Sequence, residues 1–275
     1  MKLICNRLRR AILAGVAIAC AVPPTQAATA AKPTIILVHG AFADSSSWDG
    51  VTAKLEHDGY TVIAAANALR SVATDADSIA GVIKNVPGPV VLVGHSYGGA
   101  VISAAVRDND NVTGLVYVAA FAPEAGESAA RLLDQFPGGT LRAALARPVP
   151  LANGAHDLYI EPGKFHAQFA ADLSAAEARL MATDQRPITD AALNEAEPAA
   201  PAWKTLPSWF IYGKADKNIP AAANAFMAQR ANAKKTIALG GASHAVMTSH
   251  PDEVAKLIEE AAGGAKYSID DIKAY

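Results

Sequence analysis

A serine flanked by glycines is the strongest sign of chemistry in this sequence. The pattern Gly-x-Ser-x-Gly occurs in Gly94-His95-Ser96-Tyr97-Gly98, directly after the apolar run 90–93. A sharp turn from a strand into a helix strains the serine backbone, and glycines two residues before and after it let the strand and the helix approach closely. The spacing therefore predicts that Ser96 is a nucleophile, presented at a helix N-terminus where developing negative charge is favoured.

A serine nucleophile needs a base above the same edge of the sheet. His244 follows Gly240-Gly241-Ala242-Ser243, after the last apolar run and before the last helical stretch, which predicts a loop at that edge. We therefore predict His244 as the general base. The other six histidines are less suited. His95 falls inside the Ser96 turn, His39 in the turn after the first strand, and His57 at the end of a surface helix. His156 and His166 lie in a long insertion, and His250 stands beside a proline.

The third member of such a site is an acid that orients the histidine and stabilises its cation. Asp216 follows the fifth apolar run, in Gly213-Lys214-Ala215-Asp216, and Pro220 opens the next helix. The alternative acid is Glu124, just after the fourth apolar run. The chain order Ser96, Asp216, His244 favours Asp216.

An oxyanion needs two backbone N–H groups aimed at one point. Tyr97, the residue after the nucleophile, is predicted to supply one of them. The turn His39-Gly40-Ala41-Phe42 after the first strand is predicted to supply the other, from Ala41 or alternatively from Phe42. Gly40 would let this backbone come close to a ligand.

The elements that must position these residues alternate between strand and helix. Near-continuous apolar runs predict strands that are covered on both faces, at 34–38, 61–65, 90–93, 115–118, 209–212 and 236–239. Helical patterns lie between them, at 48–57, 75–85, 100–107, 221–230 and 251–262. This alternation predicts an α/β fold with a doubly wound, mainly parallel sheet of about six strands.

One interval interrupts the alternation between the fourth and fifth predicted strands. Residues 121–207 contain short helical stretches at 127–136, 163–170 and 174–184, and the interval is far longer than an ordinary connection of about 2–6 residues. Because ligands bind at the carboxyl ends of strands in open α/β sheets, we expect a helical cap there, on a core of residues 32–120 and 208–262. Its aromatic and apolar side chains, together with one from the first turn, are candidate walls of a substrate pocket: Phe42, Phe136, Tyr159, Phe165, Phe169, Met181 and Trp203.

The first 27 residues have the pattern of a secretory signal peptide. Four basic residues precede the apolar run 11–22, which is too short to span a bilayer, and small residues at Thr25 and Ala27 suit cleavage. Arg9-Arg10 and the sequence before Cys20 resemble twin-arginine and lipoprotein signals weakly. The pattern predicts a secreted or periplasmic protein of residues 28–275, one domain with a tail at 263–275 and no membrane span.

Composition limits the possible functions further. The chain has 275 residues, of which 51% are hydrophobic and 18% are charged, as in a globular protein with a full core. With 24 basic and 26 acidic residues it has no basic excess for nucleic acid. Both cysteines, Cys5 and Cys20, fall in the predicted signal peptide, and no metal-binding or dinucleotide-binding motif is present. We therefore predict neither a metal site nor a cofactor.

Taken together, these motifs resemble the α/β-hydrolase superfamily over nearly all of the predicted mature chain. The His-Gly-Ala-Phe turn and the stretch from Tyr117 to Pro123 are most similar to small bacterial secreted serine hydrolases that are related to plant methyl-ester hydrolases and hydroxynitrile lyases. The resemblance implies the triad Ser96, Asp216 and His244. Hydroxynitrile lyases of this group have Lys after the catalytic histidine, where this chain has Ala245, so the resemblance favours the esterase branch.

The sequence thus predicts a serine carboxylesterase that cleaves a small ester through an acyl-enzyme. The alternatives are a lactone hydrolase, a C–C bond hydrolase or a cofactor-free perhydrolase with the same triad. A further alternative is a non-catalytic protein that binds a small ligand, because a fold does not fix a function.

Overall fold

The core of the fold is a sheet of six parallel strands. The computed structural model describes residues 32–198 and 200–264, and its strands are β1 Thr34–Val38, β2 Val62–Ala65, β3 Val90–His95, β4 Val112–Val118, β5 Val149–Pro150, β6 His156–Leu158, β7 Ile188–Thr189, β8 Ser208–Gly213 and β9 Lys235–Leu239. The main sheet has the order β2-β1-β3-β4-β8-β9, and every neighbouring pair is parallel. The predicted doubly wound sheet of six strands is confirmed.

Helices cover the sheet. They are α1 Asp49–His57, α2 Val72–Lys84, α3 Gly98–Ala105, α4 Ala129–Gln135, α5 Leu141–Ala144, α6 Pro162–Phe169, α7 Ala175–Asp184, α8 Asp190–Asn194, α9 Ala221–Arg230, α10 Val246–Ser249 and α11 Pro251–Gly264. The helix α11 packs on β3, β4 and β8 with α1 beside it, and α3 packs on β1, β3 and β4 with α2 beside it. Both faces are therefore covered, which is why the central strands consist of buried apolar residues.

The helix α11 shows how sequence spacing produces this packing. Its buried residues Val254, Leu257, Ile258 and Ala261 recur at the three- and four-residue intervals that place side chains on one face of a helix. The residues between them carry the charges of Glu253, Lys256 and Glu260 on the outer side. The helix continues through Gly264, two residues beyond the predicted end of the core at residue 262.

The switch point of the sheet lies between β1 and β3. The chain leaves β1 toward β2 on one side and returns through α2 to β3 on the other, so the carboxyl ends of β1 and β3 are neighbours, with Val38 paired to Gly94. Ligands bind at such a point in open α/β sheets, because the loops diverge there and leave a crevice. The two turns predicted to carry chemistry, after β1 and after β3, meet at this crevice.

The predicted cap interval forms a layer of its own. It contains α4, α6 and α7, as the helical patterns indicated. It also contains α5, α8 and an antiparallel sheet in the order β5-β6-β7, which the sequence did not predict. The cap is tied to the core by the Arg70 guanidinium, which lies 2.6 Å from Asp157, and by the Thr189 N–H, which donates to the Leu69 carbonyl at 3.1 Å. These bonds attach the cap above the ends of the strands.

Several sequence predictions lie outside the described residues. They are the signal peptide with both cysteines and residues 265–275 of the tail. In the part of the chain that the structure describes, no helix has the length and apolar character needed to cross a membrane.

Candidate active site

The turn after β3 has the geometry of a nucleophile elbow. Ser96 has φ 53°, a left-handed backbone conformation that a serine rarely adopts. A side chain on Gly94 would place its Cβ 2.6 Å from the Gly98 carbonyl oxygen, and one on Gly98 would collide with the Val38 carbonyl. The two glycines therefore allow strand, turn and helix to approach closely, as the sequence pattern predicted. Ser96 stands between β3 and α3 and is 7% exposed.

The turn after β1 lies directly against Ser96. A Cβ on Gly40 would be 2.5 Å from the Ser96 Cβ and 3.2 Å from its Oγ. The absence of a side chain at Gly40 thus brings the backbone of the first turn beside the serine hydroxyl, which is the arrangement an oxyanion site requires.

His244 and Asp216 form a buried hydrogen-bonded pair. His244 Nδ1 lies 2.7 Å from Asp216 Oδ2, and the two side chains are 1% and 0% exposed. The other carboxylate oxygen of Asp216 accepts from the backbone N–H groups of Asn218 at 2.7 Å and Ile219 at 3.0 Å. Three donors therefore satisfy this carboxylate and fix its orientation, so the buried charge has the partners it needs.

The alternative acid lies elsewhere. Glu124 Oε1 pairs with Lys204 Nζ at 2.8 Å on the surface. Asp216 is thus the acid that contacts His244. Ser96 Oγ makes no hydrogen bond with His244 in the described structure, and bonds of this kind often form only when a substrate is bound.

His95 supports His244 from below, a role that the sequence did not suggest. Its ring is fully buried, lies 4.7 Å from the His244 ring, and donates from Nε2 to the His244 carbonyl at 3.2 Å. Burial, with a smaller contribution from His244, keeps the pKa of His95 well below its ordinary value. His95 is therefore a neutral ring that positions the backbone of His244.

Two backbone N–H groups remain without a partner beside Ser96. Neither Ala41 nor Tyr97 donates its N–H to any other described residue. The N–H of Phe42, the alternative donor, is bound to the Arg186 carbonyl of the cap at 2.9 Å. Phe42 is thus engaged elsewhere, and the available pair is Ala41 and Tyr97.

His39 fixes the conformation of the first turn. The Asn67 backbone N–H donates to His39 Nε2 at 3.0 Å, so the ring proton is on Nδ1, which donates to the Gly40 carbonyl at 2.9 Å. Burial lowers the pKa of His39. This neutral ring therefore ties the turn that carries Ala41 to the loop after β2.

Tyr97 is anchored through its side chain as well. Its hydroxyl donates to Asp75 Oδ2 at 3.1 Å, and Asp75 also accepts from the Arg70 N–H. Burial raises the pKa of Asp75 and of the Tyr97 hydroxyl. The bond connects the elbow to the first turn of α2, a role of Asp75 that its position in an ordinary helical pattern did not reveal.

The cap contacts the histidine loop at several points. The Phe169 carbonyl, at the end of α6, accepts from the Ala245 N–H and the Ser243 hydroxyl, both at 3.1 Å. Its ring packs edge-on against the His244 ring at 4.9 Å. The single proton of the Ser243 hydroxyl is shared between the Phe169 carbonyl and Asp172. Burial acts against the ionised form of Asp172, but hydrogen bonds from Ser243 and Ser249 outweigh it and lower the pKa of Asp172.

The candidate pocket residues fall into different environments. Phe42 and Met181 line a cavity of about 390 Å³ between the first turn, α7 and Thr248. Phe165 is buried against Phe169, at 4.9 Å between ring centroids.

The remaining candidates lie apart from that cavity. Phe136 packs on Phe226 at 5.3 Å. Trp203 donates to the Pro123 carbonyl at 3.0 Å. Tyr159 is half-buried, and its carbonyl accepts from the Ala146 N–H. No cluster of three or more potential metal ligands occurs among the residues the structure describes.

Comparison with known proteins assigns the chain to a family. The model of the alpha/beta hydrolase family matches residues 35–257. The chain belongs to the alpha/beta hydrolase family. A search of curated proteins finds no match to this alpha/beta hydrolase.

Solved structures of other proteins share the fold of this alpha/beta hydrolase. Polyneuridine aldehyde esterase is 19% identical with a TM-score of 0.72, covering 84% of this chain and 100% of its own. A pyrethroid hydrolase from Sphingobium faniae JZ-2 is 23% identical with a TM-score of 0.67, covering 86% and 99%. An extracellular alpha/beta-hydrolase from a Paenibacillus species is 22% identical with a TM-score of 0.64, covering 83% and 98%. At these identities the likeness establishes a shared fold.

Proposed function

We propose that this alpha/beta hydrolase is a serine carboxylesterase that cleaves a small ester through an acyl-enzyme. The observation that carries the proposal is the buried pair of His244 Nδ1 and Asp216 Oδ2, 2.7 Å apart, at the same sheet edge as the strained Ser96. Esterases and a pyrethroid hydrolase among the structural neighbours are consistent with it.

In the first half of the reaction His244 removes the proton of Ser96 while Oγ attacks the ester carbonyl carbon. Asp216 keeps the proton of His244 on Nδ1, so that Nε2 is the basic nitrogen, and it stabilises the imidazolium that forms. The carbonyl oxygen gains the negative charge, which the N–H groups of Ala41 and Tyr97 stabilise. One such donor contributes on the order of 10²–10³ in rate.

In the second half the imidazolium returns its proton to the leaving alkoxide, and the ester C–O bond breaks. A water molecule then gives a proton to His244 and attacks the acyl carbon. The bond between that carbon and Ser96 Oγ breaks, and the His244 imidazolium returns the proton to Oγ, which restores Ser96 and releases the carboxylic acid. No cofactor takes part, because each proton passes between His244 and the reacting oxygens.

The test is hydrolysis of p-nitrophenyl acetate combined with labelling by a fluorophosphonate. The wild-type protein is expected to release nitrophenol and to carry the label on Ser96, whereas Ser96→Ala is expected to lose both. Ser78→Ala is the matched control, because Ser78 lies on the exposed side of α2 and bonds only to the Thr74 carbonyl. Full turnover by Ser96→Ala, or a label on another residue, would overturn the proposal.

A further inference from the structure

The turn after β1 contains a strained residue next to one of the two oxyanion donors. Phe42, which follows Ala41 directly, has φ 61°, a left-handed conformation that is an outlier for a bulky side chain. Such a conformation persists only where the surrounding structure holds it in place. At Phe42 the holding group belongs to the cap, because the Phe42 N–H donates to the Arg186 carbonyl at 2.9 Å. The cap therefore contributes to the shape of the turn that carries Ala41.

Two anchors lie on the two sides of Ala41. The peptide group that carries the Ala41 N–H also carries the Gly40 carbonyl, which accepts from His39 Nδ1 at 2.9 Å. The next peptide group carries the N–H of Phe42. The direction of the Ala41 N–H therefore depends on one anchor in the core, which is His39, and on one anchor in the cap, which is Arg186.

The cap anchor is one end of a short segment, residues 186–189, that is bound to the loop after β2. The Thr189 N–H donates to the Leu69 carbonyl at 3.1 Å, and the Thr189 hydroxyl donates to the Arg70 carbonyl at 2.8 Å. Leu69 also has φ 61°. Two core residues with left-handed backbones, Leu69 and Phe42, are thus bonded to the same segment of the cap.

The Arg70 side chain fixes the middle of this segment. Its Nη2 donates to the Pro187 carbonyl at 2.7 Å, Nη1 donates to Asp157 on β6 at 2.6 Å, and Nε donates to the Ala68 carbonyl at 2.9 Å. A planar guanidinium holds three such partners in one rigid arrangement. Because Pro187 directly follows Arg186, the carbonyl that Arg70 holds is one peptide group away from the carbonyl that anchors the turn after β1.

The other oxyanion donor is connected to Arg70 by a different route. The Arg70 backbone N–H donates to Asp75 Oδ2 at 3.1 Å, and the same oxygen accepts from the Tyr97 hydroxyl at 3.1 Å. A substitution of the Arg70 side chain leaves this backbone N–H in place. We therefore expect it to disturb the turn of Ala41 and to spare Tyr97.

We propose that Arg70 is a positioning residue for the reaction: through the cap segment 186–189, its guanidinium sets the direction of the Ala41 N–H. The inference rests on the proposed function, because an oxyanion forms at this turn only if an ester is attacked. Loss of the Arg70 side chain would misplace one of the two oxyanion donors without removing either of them.

The first test measures kcat and KM of Arg70→Met for p-nitrophenyl acetate. Removal of a whole donor costs on the order of 10²–10³ in rate, so we expect misplacement of one to lower kcat about ten- to thirtyfold with little change in KM. The midpoint of the pH dependence of kcat/KM should not move, because a different cap segment, residues 168–172, contacts the loops of Asp216 and His244. A wild-type kcat or a shifted midpoint would overturn the proposal.

Arg70→Lys keeps the proposal testable if Arg70→Met does not fold. It retains the positive charge opposite Asp157, but an ammonium group cannot reproduce the planar fork that binds Asp157 and Pro187 together. We expect Arg70→Lys to fold and to show a loss of kcat with KM unchanged. A wild-type kcat in this variant would equally contradict the proposal.

Two controls separate the role of the fork from general weakening of the cap. Arg142→Met is the matched change at an exposed arginine of the cap, which pairs with Asp134 at 3.2 Å. Asp157→Asn removes the charge of the ion pair but keeps an oxygen that can accept from Arg70. Both controls should retain the wild-type kcat. A loss in either control that equals the loss in Arg70→Met would overturn the proposal.

The second test follows the backbone amide resonances of Phe42 and Tyr97 in the full protein, labelled with isotopic phenylalanine and tyrosine. In both Arg70 variants we expect the Phe42 resonance to shift, because its bond to the Arg186 carbonyl changes, and the Tyr97 resonance to stay at its wild-type position. An unchanged Phe42 resonance, or an equal shift of both resonances, would overturn the proposal.

The two tests distinguish failure of this proposal from failure of the esterase proposal. If the wild type hydrolyses no ester but the Phe42 resonance alone shifts in the Arg70 variants, the esterase proposal fails and the hold of Arg70 on the turn stands. If esters are hydrolysed and the Arg70 variants retain the wild-type kcat, the positioning role of Arg70 alone fails.

Discussion

The turn that carries Ser96 and the loops that carry Asp216 and His244 are held in place by different parts of the molecule. The serine turn is fixed within the core, because Gly94 and Gly98 admit backbone from β1 and α3 where any side chain would collide. The loops that carry Asp216 and His244 contact the cap. Gln168 of the cap bonds to the Asp216 loop, and Asp172 of the cap bonds to the His244 loop. Ser96 is therefore positioned by the core alone, whereas the loops of Asp216 and His244 also take contacts from the cap.

This difference explains why one short segment of the cap matters for two loops. Residues 168–172 contact the acid loop at the Lys217 carbonyl and the histidine loop at Ser243. The Phe169 ring packs on His244 between these two contacts. We therefore expect a change in this segment to disturb the loops of Asp216 and His244 more than the Ser96 turn.

The largest effect on stability and activity is expected from a substitution in the Ser96 turn, which is fixed by the core. Gly94→Ala would place a methyl group 2.6 Å from the Gly98 carbonyl oxygen. Because both partners are backbone, we expect the free energy of unfolding to fall by about 3 kcal/mol or more and hydrolysis to disappear. Thermal and urea unfolding would measure it.

The matched control is Gly81→Ala on α2, where a Cβ would meet nothing within 4 Å. It is expected to raise the free energy of unfolding by up to about 1 kcal/mol, because alanine favours helix. A stable, active Gly94→Ala protein would mean that the serine turn is not fixed by backbone packing.

The next largest effect is expected from Asp216→Asn, which tests the orientation of His244 without disturbing the fold. Asp216→Asn keeps the shape of the side chain but removes its charge, and we expect kcat for p-nitrophenyl acetate to fall on the order of 10⁴. The ring of His244 would then carry its proton on the wrong nitrogen for part of the time. Circular dichroism should show an unchanged fold, and a loss below tenfold would mean that another group orients His244.

A smaller effect is expected from the cap side. Asp172→Asn weakens the bond that Ser243 donates, so we expect kcat to fall about tenfold with little change in KM. The lowered pKa of Asp172 predicts a pH signature in stability. Its stabilising contribution is present above its ordinary pKa near 3.8 and is lost as the pH falls through the lower value of the folded state. The wild type should therefore lose stability more steeply than Asp172→Asn below pH 4.

The control for this change is Asp108→Asn, an exposed aspartate in the loop after α3. It should leave kcat unchanged. If Asp108→Asn and Asp172→Asn behave alike, the cap does not position the histidine loop.

The smallest effect on turnover is expected where the chain returns from the cap to β8. Glu197 is 3% exposed with both oxygens unpartnered, and burial, helped by Glu195, raises its pKa to about 8. Between its ordinary pKa of 4.5 and about 8 only the unfolded chain is ionised, so stability falls as the pH rises through that window. Glu197→Gln should flatten this dependence without changing kcat at pH 7. Melting temperatures from pH 5 to 8 test it, and parallel curves for the two proteins would contradict it.

The two regions also differ in how well the sequence predicted them. The six strands and the Ser96 turn were predictable because each is encoded by adjacent residues, in apolar runs and in glycine spacing. The pairing of Asp216 with His244 followed from their places after β8 and β9. Contacts made by the cap were not predictable, because Gln168 and Asp172 reach their partners across 50 and 71 residues of chain.

Other features were too short or too ordinary to be detected. The strands of the cap sheet contain two or three residues each, so they show no alternation of apolar and polar positions. The bond between Phe42 and Arg186 involves only backbone, which any residue type can provide. His95 has an ordinary place in the glycine pattern, and its contact with His244 depends on the packing of two distant loops.

The three histidines around Ser96, which are His39, His95 and His244, differ in whether they can accept a second proton. Burial disfavours the charged form of His39 and of His95, and each ring uses its single proton in a bond to a backbone carbonyl. Only His244 has a carboxylate partner that can stabilise a second proton. In the proposed mechanism His39 and His95 therefore do not compete with His244 for the proton that leaves Ser96.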